Sequence, residues 1–199
     1  MAVHSIIEAN AAKFGDIPAI AGAGITISYR ELNQRANAVA RHLLAQGLRR
    51  GAVATVCLPC DAETAVVLLG ILKAGGTYVL LNPETTQPEW PRGVSFAQKA
   101  EGHEVRYQIV DVAPAFMAAP QSSANLPVVA RVTDVACVIA DTNGEPLMFV
   151  PHSTIVSLKR DGAPRCTEWS GQAGALDLWA ALMSGATVTL NAPALQSAA

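Results

Sequence analysis

The apolar positions of this chain change period repeatedly, and each change marks an element. Residues 4–14 set Ile6, Ile7 and Phe14 around an alanine-rich interior, which predicts a short amphipathic helix. Two apolar runs, Ala19-Ile20-Ala21 and Ile25-Thr26-Ile27, flank a Gly-Ala-Gly turn and predict a hairpin. Ser28-Tyr29-Arg30-Glu31 reads as a capping box, in which the Ser28 oxygen takes the Glu31 amide while Glu31 reaches back. The helix it opens carries Leu32, Ala36, Val39, Leu43 and Leu44 on one face and stops at Gly47. Residues 53–58 read as a strand. Residues 61–73 follow as a helix with Val66, Val67, Leu69 and Leu72 apolar, Gly75-Gly76 closes it, and 77–81 form the next strand. Strand, helix and strand joined by a tight glycine turn are a βαβ unit, so the sheet is parallel there and the crossover right-handed.

Further along, 88–101 carries a weak helical pattern and 105–110 reads as a strand. Residues 114–127, rich in proline, alanine and serine, read as a loop. Strands over 135–140 and 147–150 flank Asp141-Thr142-Asn143-Gly144-Glu145-Pro146. Asn-Gly between two apolar strands signals a hairpin, because both residues tolerate positive φ. A helix over 152–159, an irregular stretch over 160–171, a helix over 173–184 ending at Gly185, and a strand over 186–190 complete the pattern. There is no internal repeat and no coiled coil. The fold class is α/β, a mostly parallel sheet flanked by helices with a few antiparallel hairpins. It forms one domain over 1–190 with a flexible tail over 191–199.

Composition adds constraints. Of 199 residues, 51% are hydrophobic and 15% charged, against roughly 25% charged in ordinary domains. No apolar run approaches the roughly 18–20 residues of a spanning helix, so the excess reads as buried core plus an apolar face that awaits a partner. A net charge of −2 with no basic stripe argues against a nucleic-acid partner. The N-terminus lacks the charged and apolar regions of a signal peptide, which makes the cytoplasm the expected location. Of the four cysteines, Cys57 and Cys60 have the spacing of a redox pair. The plainer reading is a strand residue followed by a small turn residue, and Cys137 with Cys166 has the wrong spacing to complete a zinc site.

Several segments carry more specific information. Leu72-Lys73-Ala74-Gly75-Gly76-Thr77-Tyr78-Val79-Leu80-Leu81-Asn82-Pro83 resembles the second core motif of nonribosomal peptide synthetase adenylation domains, members of the adenylate-forming superfamily. Phe14-Gly15-Asp16-Ile17-Pro18-Ala19 is similar to the opening segment of that family, and residues 26–33 to its L-T-Y-x-E-L-N motif. Residues 133–139 resemble the run into the family's phosphate loop, Val150-Pro151-His152 its exit, and 176–186 the helix that borders the substrate pocket. The resemblance implies the first α/β subdomain of these enzymes.

It also implies a chemistry and where this chain departs from it. The family joins a carboxylate to the α-phosphate of ATP and cradles the β,γ-phosphates in a T-S-G-T-T-G-x-P-K-G loop, whose amides, hydroxyls and lysine meet the anion. Here the stretch is Asp141, Thr142, Asn143, Gly144, Glu145, Pro146, Leu147, Met148, and the lysine position falls on Leu147 or on a deletion. Asp141 and Glu145 set two negative charges where polyphosphate would lie. Each like-charge contact costs on the order of several kcal/mol at an effective dielectric of about 20. The aspartate that pairs with a substrate ammonium falls on Gln172, and a neutral amide cannot offset the burial of that charge. Asp177 aligns with a structural acidic residue of the pocket helix, and His152 with a histidine near the pocket floor whose role is structural or helix-capping. The chain stops about 15 residues after the pocket helix, before the family's ribose-binding aspartate and catalytic lysine.

The expectation is therefore a pseudo-adenylation domain with no catalytic residues, no cofactor and no metal, with His152, Gln172 and Asp177 marking the remnant pocket. It would act as a structural or protein-interaction element in nonribosomal peptide biosynthesis, as a homodimer or docked on a megaenzyme. Half of a split adenylate-forming enzyme, a small-molecule binder or enzyme reusing the remnant pocket, and a Cys57/Cys60 redox protein are the alternatives.

Overall fold

Local signals place most of the elements. The computed structural model describes residues 1–22, 24–83, 93–99, 105–117, 124–127, 129–141, 143, 145–159 and 171–190. Helix α1 (Val3–Lys13) leads to the hairpin of β1 (Pro18–Gly22) and β2 (Ile25–Ser28), and then to α2 (Tyr29–Ala45). Next come β3 (Val53–Cys57), α3 (Ala62–Lys73) and β4 (Thr77–Leu81), then β5 (Gly93–Lys99), β6 (Val105–Val110) and the short α4 (Ala113–Met117). β7 (Val135–Ala140), β8 (Pro146–Pro151), α5 (His152–Ser157), α6 (Gly171–Met183) and β9 (Val188–Leu190) complete the order. The expected tail over 191–199 and irregular stretch over 160–170 lie outside the described residues, as do Trp90, Trp169, His103 and Cys166.

Caps explain the helix boundaries. The Ser28 Oγ accepts from the Glu31 amide at 3.2 Å, but the Glu31 carboxylate turns to Arg35, so only half of the capping box forms. Asp61 caps α3 by accepting from the Thr64 amide at 2.8 Å. At its other end the Gly76 amide reaches back to the Ile71 carbonyl and Gly75 takes φ 81°, the glycine-closed helix end that 72–76 encodes.

The strands form two sheets among the described residues, β6-β5-β3-β4-β7-β8 and β2-β1-β9. At the centre of the larger one β3, β4 and β7 run parallel, as the βαβ reading requires. Antiparallel strands flank them, β5 and β6 on one side and β8 on the other. The helical expectation over 88–101 fails where it can be checked: Gly93–Lys99 is a strand held between β3 and β6. Val94 and Phe96 are buried, and their alternation, completed by two ladders, outweighs the helical pattern. The smaller sheet is long-range, with Ile20 opposite Val188 in a parallel pair.

One core joins both sheets to α1, α2, α3 and α6. Strand β4 is buried on both faces: Tyr78 and Leu80 point into this core, while Val79 and Leu81 join a second apolar group with Cys57, Val138 and Ala140. Trp179 of α6 is fully buried, and its indole N–H donates to the Tyr78 hydroxyl at 2.7 Å. That contact sets the depth of α6 against the sheet.

Candidate functional site

In an open α/β sheet, ligands sit beyond the carboxyl ends of the parallel strands. Here that edge carries three turns: Leu58–Asp61 after β3, the residues after β4, and Asp141–Glu145 after β7. Asn82 and Pro83 begin the second turn, and the rest of it lies outside the described residues.

The β7–β8 turn is organised by one side chain. The Asp141 Oδ1 accepts from the Asn143 amide at 2.8 Å and from the Glu145 amide at 2.9 Å. The Asp141 amide in turn donates to the Glu145 carbonyl at 3.0 Å and closes the turn. Amides that could converge on an anion in such a turn therefore converge on a carboxylate that the chain itself supplies. Glu145 is exposed, and Thr142 and Gly144 lie outside the described residues. Leu147, at or beside the lysine position of the family loop, is 69% exposed.

A cleft of about 440 Å³ opens beside the β3–α3 turn, lined by Leu58, Pro59, Asp61, Thr64, Gly93 and Asp111, among others. Glu63 also lines it, pairs with Arg35 of α2 and keeps its buried Oε2 without a partner among the described residues, whereas three other polar groups are committed locally. Asp61 caps α3, the Thr64 hydroxyl donates to the Pro59 carbonyl at 2.6 Å, and Asp111 accepts from the Ala113 amide at 2.9 Å. Cys57 is buried in β3 and Cys60 is half-buried in the turn. Burial pushes the Cys137 thiol up to about 11, although it bonds the Tyr78 hydroxyl. Among the described residues no three His, Cys, Asp or Glu side chains group as a metal site would need.

The sequence-derived site residues do not converge. His152 stands at the far end of β8 from the turn, and the six residues of that strand span about 20 Å. It is fully buried under α1, where its Nδ1 accepts from the Val3 amide at 3.3 Å. This bond caps α1, whose own N-cap Ala2 offers no side-chain acceptor. Gln172 lies in the first turn of α6, and its side chain is outside the described residues. Asp177 is exposed on the same helix.

Sequence reasoning missed a buried polar cluster beneath α1. His4 is 2% exposed, and its ring lies edge-on to that of His152 with centroids 5.9 Å apart. Lys73 of α3, also 2% exposed, pairs with Glu8 of α1. The signal was available: every residue of α3 from Thr64 to Lys73 is buried, and a lysine in a helix that is apolar all round must find an internal carboxylate.

The chain matches the AMP-binding enzyme family over residues 7–161. It is 26% identical over 211 residues to bacitracin synthase 1 of Bacillus licheniformis, covering 94% of this chain and 4% of that protein. To tyrocidine synthase 1 of Brevibacillus parabrevis it is 28% identical over 216 residues, 94% of this chain and 19% of that one. To the nonribosomal peptide synthetase sidD of Aspergillus fumigatus it is 33% identical over 160 residues, 77% and 7%. The chain thus spans a small part of each of these relatives. In fold it is similar to the nonribosomal peptide synthetase FmoA3, with a TM-score of 0.78 at 23% identity, covering 100% of this chain and 23% of that one. It is also similar to the N-terminal subdomain of Klebsiella oxytoca NpsA bound to 3-hydroxyanthranilyl-AMSN, with a TM-score of 0.75 at 20% identity, covering 98% and 55%. On the family match over most of its length and the shared fold, the chain belongs to the AMP-binding enzyme family, as a stretch of adenylation domain of the nonribosomal peptide synthetase type.

Proposed function

We propose that this chain is a non-catalytic adenylation-like element that serves nonribosomal peptide assembly through contacts with another polypeptide. The observation that carries the first half is the Asp141 carboxylate on the Asn143 and Glu145 amides. A triphosphate would have to displace an anion already held at hydrogen-bond distance, with Leu147 at or beside the position where the family has its lysine. The Gln172 position, where the resemblance implies an aspartate, favours the same reading. The second half is supported by β8. It is the last strand on its side of the sheet and carries Leu147, Met148 and Phe149 in succession at 69%, 57% and 62% exposure. Among the described residues no strand pairs with its outer side, and between the prolines at its two ends these three large apolar side chains carry no charge to discourage a partner.

ATP–pyrophosphate exchange on the pure chain, run across the amino acids and simple aryl acids, tests the first half. Exchange above the enzyme-free rate overturns it. Light scattering of the pure chain, with and without purified synthetase modules added, tests the second. A strict monomer that binds none of them overturns that half.

A further inference from the structure

The cluster beneath α1 is not used by the reading above, and its geometry describes a device. Helix α1 packs against α2, α3, α5 and α6 and buries Val3, Ile6, Ile7 and Ala11. Among the described residues three polar ties hold it. The Val3 amide donates to His152 Nδ1 at 3.3 Å, Glu8 pairs with Lys73, and the Asn10 amide group donates to the Leu182 and Met183 carbonyls at 2.8 and 3.0 Å. With Nδ1 accepting, neutral His152 carries its proton on Nε2. That nitrogen and the Nδ1 of His4 are both buried and have no partner among the described residues.

We propose that α1 is an acid-released latch: it stays docked while His4 and His152 are neutral, and their protonation lifts it from α3, α5 and α6 while the six-stranded sheet stays folded. A proton on His152 Nδ1 would remove the acceptor for the Val3 amide. It would also set a cation against the positive end of the α1 dipole. The neighbourhood is already cationic. His4 faces His152 of α5 and Lys73 of α3, with Arg41 of α2 acting on Lys73 and Glu8 of α1 as the counter-charge. Asp134, ahead of β7, favours the charged His152, but it is itself held by Arg50 at 2.7 Å.

Burial pushes His152 down to about 4 and His4 to about 3. Both groups bind protons more tightly once α1 is released, so docking is full above pH 6.5 and weakens as pH falls below it. Each histidine contributes up to about tenfold per pH unit, or roughly twentyfold between pH 7 and pH 5.

Hydrogen exchange of the whole chain at pH 7, 6 and 5, corrected for intrinsic rates, tests the latch. Amides of residues 5–13 should lose protection at least tenfold by pH 5, while those of β3 and β4 keep theirs. Flat protection in α1, or loss in step with the central strands, overturns it. In H152N an amide oxygen can replace Nδ1 without titrating, so H152N with H4F should abolish the pH dependence in α1. A retained dependence overturns the latch. Histidine ring NMR of the unmodified chain decides the matter if that variant does not fold: either ring titrating near 6.5 in the docked state overturns the proposal.

Discussion

Replacing Glu8 by Gln tests how this fold tolerates a lysine in its core. The Lys73 side chain is fully excluded from water and its Glu8 partner is 11% exposed. Burial lowers the Lys73 pKa from 10.5, and the Glu8 hydrogen bond and charge oppose that shift. With the carboxylate gone, the folded chain has two choices. It can keep an uncompensated ammonium, at about 3–5 kcal/mol. Or it can deprotonate Lys73, which at pH 7 costs about 1.36 kcal/mol for each of the 3.5 units below its ordinary value. The cheaper route governs, so Glu8→Gln should lose about 3–5 kcal/mol, read from the shift in urea midpoint at constant slope. A lysine with a depressed pKa binds fewer protons folded than unfolded. The deficit should therefore shrink as pH rises toward 10.5. The double variant Glu8→Leu with Lys73→Met replaces the pair by apolar side chains of similar size and should lie within about 1 kcal/mol of the parent. A Glu8→Gln loss below about 1 kcal/mol, or a double variant as damaged as the single one, would refute the assignment of a compensated buried charge.

Three further outcomes follow from close contacts. Gly70→Ala sets a methyl 2.6 Å from Val39 Cγ1, where α3 crosses α2. Despite the better helix propensity of alanine it should cost about 1–2 kcal/mol, and Val39→Ala in the same chain should recover part of that loss. Trp179→Phe removes the donor to the Tyr78 hydroxyl in a site with no water access and leaves a gap; a loss of about 2–4 kcal/mol in thermal or urea denaturation is expected. Asp141→Ser takes the acceptor from two turn amides and should cost about 1–2 kcal/mol, with faster exchange of the Asn143 and Glu145 amides as the local readout.

What the sequence discloses is set by the range of the interaction that fixes each element. The glycine-closed end of α3 is local, with Gly75 and Gly76 reaching back to carbonyls three and five residues earlier, and so it is readable from 72–76. The β7–β8 hairpin is local in the same sense. Strand β5 is not: Val56 opposite Val94 and Val94 opposite Val110 make it a strand, and neither partner lies in a helical window around it. The second sheet is further out of reach, since Val188 joins Ile20 with most of the chain between them. The seat of α1 belongs to the same class. His152 caps a helix 149 residues away, and the only trace in the sequence is an N-cap alanine where a serine, threonine or aspartate would have sufficed.

The candidate site was legible in chemistry but not in mechanism. From the residues alone, Asp141 and Glu145 act as two charges that repel a polyphosphate. In the fold they are not equivalent. Glu145 is exposed and its charge is spread into water, where repulsion at a few ångströms is weak. Asp141 is half-buried and holds the Asn143 and Glu145 amides, so on the proposed reading it acts by occupying amides that an anion would need. Repulsion could be screened by salt or cancelled by a divalent cation, whereas a carboxylate bonded to its own backbone at 2.8–2.9 Å moves with the turn and cannot be diluted away. The same bonds give the shortened turn its shape. The carboxylate proposed to exclude the phosphate also ties the turn between β7 and β8, so replacing Asp141 would free the Asn143 and Glu145 amides only by loosening the turn that positions them.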